Sequence, residues 1–227
     1  MGSKEYDYII VGSGLFGSVF AHEMHIRGKK CLVIEKRSHV GGNVHNTIND
    51  GIITHEYGAH IFHTNSEKIW KYITQFSAFR PYIHQVKVNI NQQLYSFPIN
   101  INTMMQWFKI NDGDQALSYF LNQQKKQNQY SNLEEMGLGE LGESLYENFI
   151  KPYTEKQWSK PCNTLPSQIL SRLPLRFNYN ENYFEDTYQG IPENGYNPII
   201  NKLLQGIEVK LNTDFFAHKK EWEEKVL

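Results

Sequence analysis

Gly12, Gly14 and Gly17 stand in the run Gly12-Ser13-Gly14-Leu15-Phe16-Gly17, the spacing Gly-x-Gly-x-x-Gly. The first glycine permits a tight turn out of a strand. The second lets the backbone approach an anion, and the third lets a helix pack closely on that strand. The chemistry is the binding of a pyrophosphate at a helix N-terminus, where free N–H groups and the helix dipole favour negative charge. Glu35 follows roughly 20 residues later, the separation at which an acid binds a ribose hydroxyl pair in dinucleotide sites. The plainer alternative for Glu35 is a surface ion pair with Lys36 or Arg37. His60 and His63 lie three apart, but no carboxylate or cysteine stands near them at a usual ligand spacing, so no metal is expected. A core or capping role for these histidines stays open beside a ligand-facing one.

The elements around these residues suit the task. Tyr6 to Val11 reads as a buried parallel strand running into the glycines. Leu15 to Arg27 reads as a helix with Phe16, Val19, Phe20 and Met24 on one face, and Gly28 stops it. Lys30 to Glu35 is a second buried strand, joined by a right-handed crossover. His84 to Pro98 alternates polar and apolar residues around Asn91-Gln92, a hairpin in a separate antiparallel sheet. Thr103 to Arg172 is mostly helical, with an exposed Gln/Asn/Lys-rich stretch from Asn122 to Asn132. Leu173 to Pro192 looks extended, Asn197 to Leu204 is a short helix, and Ile207 to Leu211 is a strand returning to the first sheet.

Composition narrows the class. The 227 residues are 40% hydrophobic and 21% charged, ordinary for a soluble globular protein. Lys plus Arg is 23 against 24 for Asp plus Glu, which gives no electrostatic case for nucleic acid or an anionic membrane. No apolar run approaches the roughly 20 residues of a membrane span, and no signal peptide is visible. Cys31 and Cys162 form no disulfide or metal framework, which fits a reducing, cytoplasmic compartment.

More specific patterns follow the fingerprint. Glu35-Lys36-Arg37 leads through Ser38, His39 and Val40 to Gly41-Gly42-Asn43, which resembles the amine-oxidase-like FAD families. There the glycine pair passes close to the cofactor's diphosphate-ribityl region. The segments Tyr57-Gly58-Ala59-His60-Ile61-Phe62-His63-Thr64, Tyr153-Thr154-Glu155-Lys156-Gln157-Trp158, Asn182-Tyr183-Phe184 and Tyr188-Gln189-Gly190-Ile191-Pro192, with the stretch from Tyr6 to Phe62, resemble the UDP-galactopyranose mutases. The resemblance covers essentially every residue present. It implies an isomerase that interconverts UDP-galactopyranose and UDP-galactofuranose for cell-wall or polysaccharide biosynthesis. Its FAD must be reduced, with no net redox change, and the reaction passes through a covalent intermediate between flavin N5 and the sugar.

The resemblance also implies residue roles. Gly12, Gly14, Phe16, Gly17, Glu35, Lys36, Gly42, Asn43, His60, Ile61, Asp214 and Phe215 are the cofactor-binding positions. His63 lies beside the isoalloxazine and answers its redox state. Phe149 and Tyr153 match the uracil-stacking pair, and their spacing of four on a helix puts them on one face. Thr154 lies beside them, and Trp158 matches a mobile-loop tryptophan near the sugar. Arg172 matches the arginine that clamps the diphosphate, and with His63 makes the catalytic pair. Tyr183 matches a tyrosine that hydrogen-bonds the diphosphate, and Arg176 is a second cation nearby. His84 stands where many members have an asparagine near the substrate. Without the resemblance, the aromatics between 145 and 190 read as core.

The expected fold is α/β: an incomplete Rossmann-like FAD-binding domain interrupted by a helical domain and an antiparallel sheet. Residues 1–80 form the FAD-binding βαβ portion, and 81–101 with 173–195 the antiparallel sheet region. Residues 102–172 form the helical substrate domain with its mobile loop, and 196–227 return to the FAD-binding domain. Members of the family are considerably longer, so the sequence reads as the N-terminal portion of one, with poor activity expected in isolation. The competing readings are an amine-oxidase-like oxidoreductase and a fragment that binds nucleotide weakly. The layout is compatible with a homodimer.

Overall fold

The computed structural model describes residues 5–172 and 175–226, with only the main chain of residue 172. The first unit comprises residues 1–82 and 186–227, and the second residues 83–185. In chain order the first unit opens with β1 (Tyr8–Val11), α1 (Leu15–His25), β2 (Cys31–Ile34), β3 (Asn46–Asn49), β4 (Ile52–His55), β5 (Phe62–Thr64), α2 (Glu67–Ile73) and β6 (Phe79–Pro81). The second unit holds β7 (Val86–Ile90), β8 (Gln93–Phe97), α3 (Ile101–Phe108), α4 (Gly113–Gln123), α5 (Leu133–Leu141), α6 (Glu143–Leu145) and α7 (Lys151–Trp158). The chain returns through β9 (Tyr188–Pro192), α8 (Asn197–Leu203), β10 (Glu208–Lys210) and α9 (Lys219–Glu224).

In the first unit β1, β2 and β10 form a parallel sheet in the order β1-β2-β10, with Tyr8 opposite Cys31 and Glu208 opposite Leu32. All four residues of β2 are buried, as a parallel strand covered on both faces requires. Helix α1 is rotated from its expected setting. Its buried residues are Gly17, Ser18 and Ala21, while Phe16 is 86% exposed and Phe20 lies at the surface; Val19 and Met24 are partly buried against the core. The cause is one close approach. A Cβ on Gly17 would lie 2.0 Å from the Gly12 carbonyl oxygen, so the small stripe Gly17–Ala21, not the bulkier one, must face the sheet.

The strands β3 and β4 form a hairpin that the sequence reading does not anticipate. Its turn is Asp50-Gly51, with φ of 50° and 78°, the signature of a type I′ turn. Strands β5, β9 and β6 make a second antiparallel sheet with β9 central. The expected pairing of 173–195 with 81–101 is met at its edge, where Pro81 lies opposite Gly190 and Gln85 bridges Asn182; β9 otherwise joins β5 and the start of β6, and the hairpin β7–β8 stands as its own sheet. Gly190 makes the central position possible, because a Cβ there would lie 2.9 Å from the Arg80 carbonyl oxygen. Helix α8 completes the core with Tyr196, Ile199, Ile200 and Leu203 packed with Ile10, Ala21 and Val33. Buried Asn46 ties it down. Its Oδ1 accepts from the Tyr196 and Asn197 amides at 2.7 and 3.1 Å, and Asn197 Nδ2 donates back to the Asn46 carbonyl.

The second unit is a hairpin and a helical cluster. Strands β7 and β8 turn at Asn91-Gln92, where the sequence places the turn; both residues have positive φ. Helices α3, α4 and α5 begin at Asn100, Asp112 and Asn132, each side chain accepting from a backbone amide three residues on. Tyr95, Phe97, Met104, Phe120, Leu133, Tyr146 and Phe149 fill the core. Between α6 and α7 the chain makes a π-helical turn over Tyr146–Ile150. Among the described residues no helix is long and apolar enough to cross a membrane.

Candidate functional site: a glycine-lined cleft and an aromatic cluster

The cleft of the first unit starts where β1 ends. Gly12, with φ of 97°, turns the chain and donates its amide to the Ile34 carbonyl at 2.8 Å. Buried Ser13 donates from its amide and hydroxyl to Glu35 Oε2 at 2.9 and 2.8 Å, and the Arg37 amide donates to Glu35 Oε1 at 2.9 Å. Burial by itself raises the Glu35 carboxyl; the hydrogen bonds from Ser13 and Arg37 outweigh it and hold the group below the usual carboxylate range. Glu35 is therefore an ion whose first duty is to brace the glycine loop. Helix α1 starts at Gly14 with no side chain capping it and no acid in its first turn, leaving its amides open to an anion.

The Gly41-Gly42 pair meets this loop from the other side. The Gly41 amide donates to the Ser13 carbonyl at 2.9 Å, and a Cβ on Gly42 would lie 3.0 Å from Gly14 Cα. Asn212 and Thr213, beyond β10, donate their amides to the carbonyls of Arg37 and Glu35. The result is a cleft of about 360 Å³ lined by Gly12, Gly14, Glu35, Lys36, Arg37, Gly42, Asn43, Thr213, Asp214, Phe215 and Phe216, with Val11 and Ile34 at its base. A glycine cradle that side chains would fill, an open helix N-terminus and a braced carboxylate fit a dinucleotide.

Eight of the sequence-assigned cofactor positions thus meet in one cleft: Gly12, Gly14, Glu35, Lys36, Gly42, Asn43, Asp214 and Phe215. Gly17 lies behind it as a packing residue. Phe16 does not line it; it lines a wider groove between α1 and α2, about 1280 Å³, with Leu15, Val19, Phe62 and Ile69. His60 and Ile61 also lie outside the cleft. His60 Nδ1 is bonded to the Gly58 carbonyl at 2.7 Å, and its own carbonyl accepts from the Tyr196 hydroxyl. His63 Nδ1 lies 2.6 Å from Asp186 Oδ2; a carboxylate oxygen accepts, so Nδ1 carries the proton. Arg37, Thr213 and Phe216 were missed. The sequence presents Arg37 only as an ion-pair partner of Glu35, and nothing local in it marks residues 213–216 as neighbours of Glu35.

In the second unit, the Tyr183 amide donates to the His84 carbonyl at 2.6 Å, and the two rings meet edge to face at 5.4 Å. Burial pushes the Tyr183 hydroxyl up, with the neighbouring Tyr153 adding to it. Tyr153 and Trp158 on α7 are both exposed, at 50% and 43%. Phe149 corrects the expectation of a stacking pair. It is 2% exposed and packed edge to face against Tyr95 and Trp107 at 5.4 and 5.1 Å. The π-helical turn ending at Ile150 breaks the α-helical register, so residues four apart no longer share a face. Thr154 is buried too, at 2% exposed. Arg176, the second cation near Tyr183, is buried in its loop. It is 5% exposed and spends Nη1 on the Asn180 and Asn182 carbonyls, Nη2 on the Tyr183 carbonyl and Nε on Glu185. It shapes the loop that carries Tyr183. The Arg172 side chain, with residues 173 and 174, lies outside the described residues.

Residues 148–227 match the family model described as UDP-galactopyranose mutase, and residues 10–76 match an NAD(P)-binding Rossmann-like domain. A probable UDP-galactopyranose mutase of Klebsiella pneumoniae is 38% identical over 221 residues, covering 94% of this chain and 57% of the relative. Over most of its length the chain is similar to UDP-galactopyranose mutases. Another relative in this mutase family's neighbourhood, a dTDP-fucopyranose mutase of Escherichia coli, is 36% identical over 86% of the chain and 53% of its own length. The crystal structure of a reduced UDP-galactopyranose mutase superposes with a TM-score of 0.67 at 16% identity, over 91% of this chain and 48% of that one, which shows a shared fold. The chain spans about half the length of the curated mutases it matches.

Proposed function

We propose that the protein serves a UDP-galactopyranose mutase reaction: it holds FAD in the glycine-lined cleft and interconverts UDP-galactopyranose and UDP-galactofuranose. The observation that carries the reading is the cleft itself, in which Gly12, Gly14 and Gly42 clear space beside an open helix N-terminus and a braced Glu35. In this reading the diphosphate of FAD takes the amides at the start of α1. Glu35 keeps an acceptor lone pair on Oε1 for a ribose hydroxyl, its Oε2 being filled by the two Ser13 donors. Asp214 and Phe215 close the wall contributed from beyond β10. The bound, reduced flavin supplies the nucleophile toward the anomeric carbon.

The chain's other residues bind and orient. Tyr153 and Trp158 present exposed aromatic faces for the uracil and sugar. Tyr183, braced by His84, offers a hydroxyl for the diphosphate of the nucleotide-sugar, and Arg172 is assigned its positive charge. Asp186 fixes the His63 ring with Nδ1–H outward to the carboxylate, a setting that suits a residue answering the flavin's charge. The test is direct. The purified chain, loaded with FAD and reduced with dithionite, should turn UDP-galactofuranose into UDP-galactopyranose slowly but above the rate of free reduced FAD, resolved by chromatography. A protein that passes through desalting without the yellow of oxidised flavin sinks the proposal.

A further inference from the structure

One guanidinium in the cleft is held in place without being used up. Arg37 lines the cleft two residues beyond Glu35. Its Nη2 donates to Asn43 Oδ1 at 3.0 Å, and its Cζ sits 4.2 Å from the centroid of the Tyr57 ring. Tyr57 is itself fixed, its hydroxyl 2.8 Å from His39 Nε2. The Arg37 main chain is pinned on both sides, its amide to Glu35 Oε1 and its carbonyl to the Asn212 amide. Its Nη1, shielded from water, has no hydrogen-bond partner. A charged donor left buried and unpaired is costly, and an acceptor that arrives with a ligand would relieve that cost.

The anchor shows which part of the ligand that is. Asn43 directly follows Gly42, the residue that abuts Gly14 at the fingerprint loop. The guanidinium is thus tied to the glycine lip where the diphosphate lies. A planar fork with one arm spent and one face stacked is pre-organised for phosphate oxygens, more so than an ammonium on a flexible stem.

We propose that Arg37 binds a phosphate oxygen of the dinucleotide in this cleft, with Asn43 and Tyr57 as its positioning residues. The proposal rests on the reading of the cleft as a cofactor site and adds a full positive charge to the partial one of the α1 N-terminus. The test compares ADP, adenosine and FAD binding by calorimetry for the wild type, Arg37→Gln and Arg37→Lys. Arg37→Gln should weaken ADP and FAD about tenfold or more and leave adenosine unchanged, with Arg37→Lys between. The affinity of the wild type for ADP should fall with added salt more steeply than that of Arg37→Gln. As a second variant, Tyr57→Leu should weaken ADP several-fold while leaving the Arg37→Gln background unaffected. Equal ADP affinity in wild type and Arg37→Gln, or equal losses for ADP and adenosine, overturns the proposal while the cofactor reading stands. A wild type that binds neither ADP nor FAD overturns both.

Discussion

Glu35 is a buried carboxylate kept ionised by the groups it braces, and this gives its contribution a pH signature. Its folded-state value is depressed, so its stabilisation is complete above the ordinary value of 4.5 and is lost as pH falls through the lower folded value. Glu35→Gln should cost about 1–3 kcal/mol at neutral pH and flatten the acid limb of the stability curve, as read by urea titrations across pH. An unchanged acid limb would mean that Ser13 does not brace the carboxylate. Gly17 gives a steric test of the same loop. Gly17→Ala puts a methyl 2.0 Å from the Gly12 carbonyl oxygen, a backbone atom that cannot swing aside. About 1–3 kcal/mol of destabilisation and a loss of flavin retention are expected together. At Phe149, truncation to alanine should cost about 3–5 kcal/mol in chemical unfolding, the figure for a core aromatic. A ligand-stacking ring would instead lose UDP affinity at nearly constant stability.

At the scale of elements, polar side chains decide where helices begin and how they are tied. Asn100 both accepts from the Thr103 amide and has its own amide bonded by the Thr103 hydroxyl, a reciprocal cap in a fully buried setting. Asn100→Ala should cost about 1–2 kcal/mol, while Asp112→Ala, at an exposed cap, should sit at or below about 1 kcal/mol. Asn46 does a comparable job between elements, joining the start of β3 to the first turn of α8. Asn46→Ala leaves the Tyr196 and Asn197 amides without a partner, while the Asn197 side chain keeps its bonds to the Asn46 main chain, and the cost should exceed that of either cap in the same urea titration. The β3–β4 hairpin turns at Asp50-Gly51, and its short strands leave Ile48 and Ile52 exposed, so no alternation of buried and exposed residues marks it in the sequence.

For the whole molecule, the unit of residues 1–82 and 186–227 is interrupted in sequence by the unit of residues 83–185. Saturating FAD should therefore be read as added stability of the first unit, about 2.7 kcal/mol at a hundredfold excess over Kd. Hydrogen exchange should show the new protection around Gly12 to Arg37 and residues 212–216. Protection confined to α3–α5 would place the cofactor elsewhere. The sequence by itself determined the strand-glycine-helix-strand start, the hairpin at Asn91-Gln92 and the family resemblance, because turn geometry, strand period and motif spacing are local properties of the chain. Tertiary structure alone decided which stripe of α1 is buried, since that depends on Gly17 meeting the Gly12 carbonyl. It alone withdrew Phe149 into the core, through a π-helical turn that no side-chain period announces. And it alone turned Arg37 from a neighbour of Glu35 into a wall of the cleft, because Tyr57, Asn43 and residues 212–216 reach it only after the chain has folded back over its first sheet.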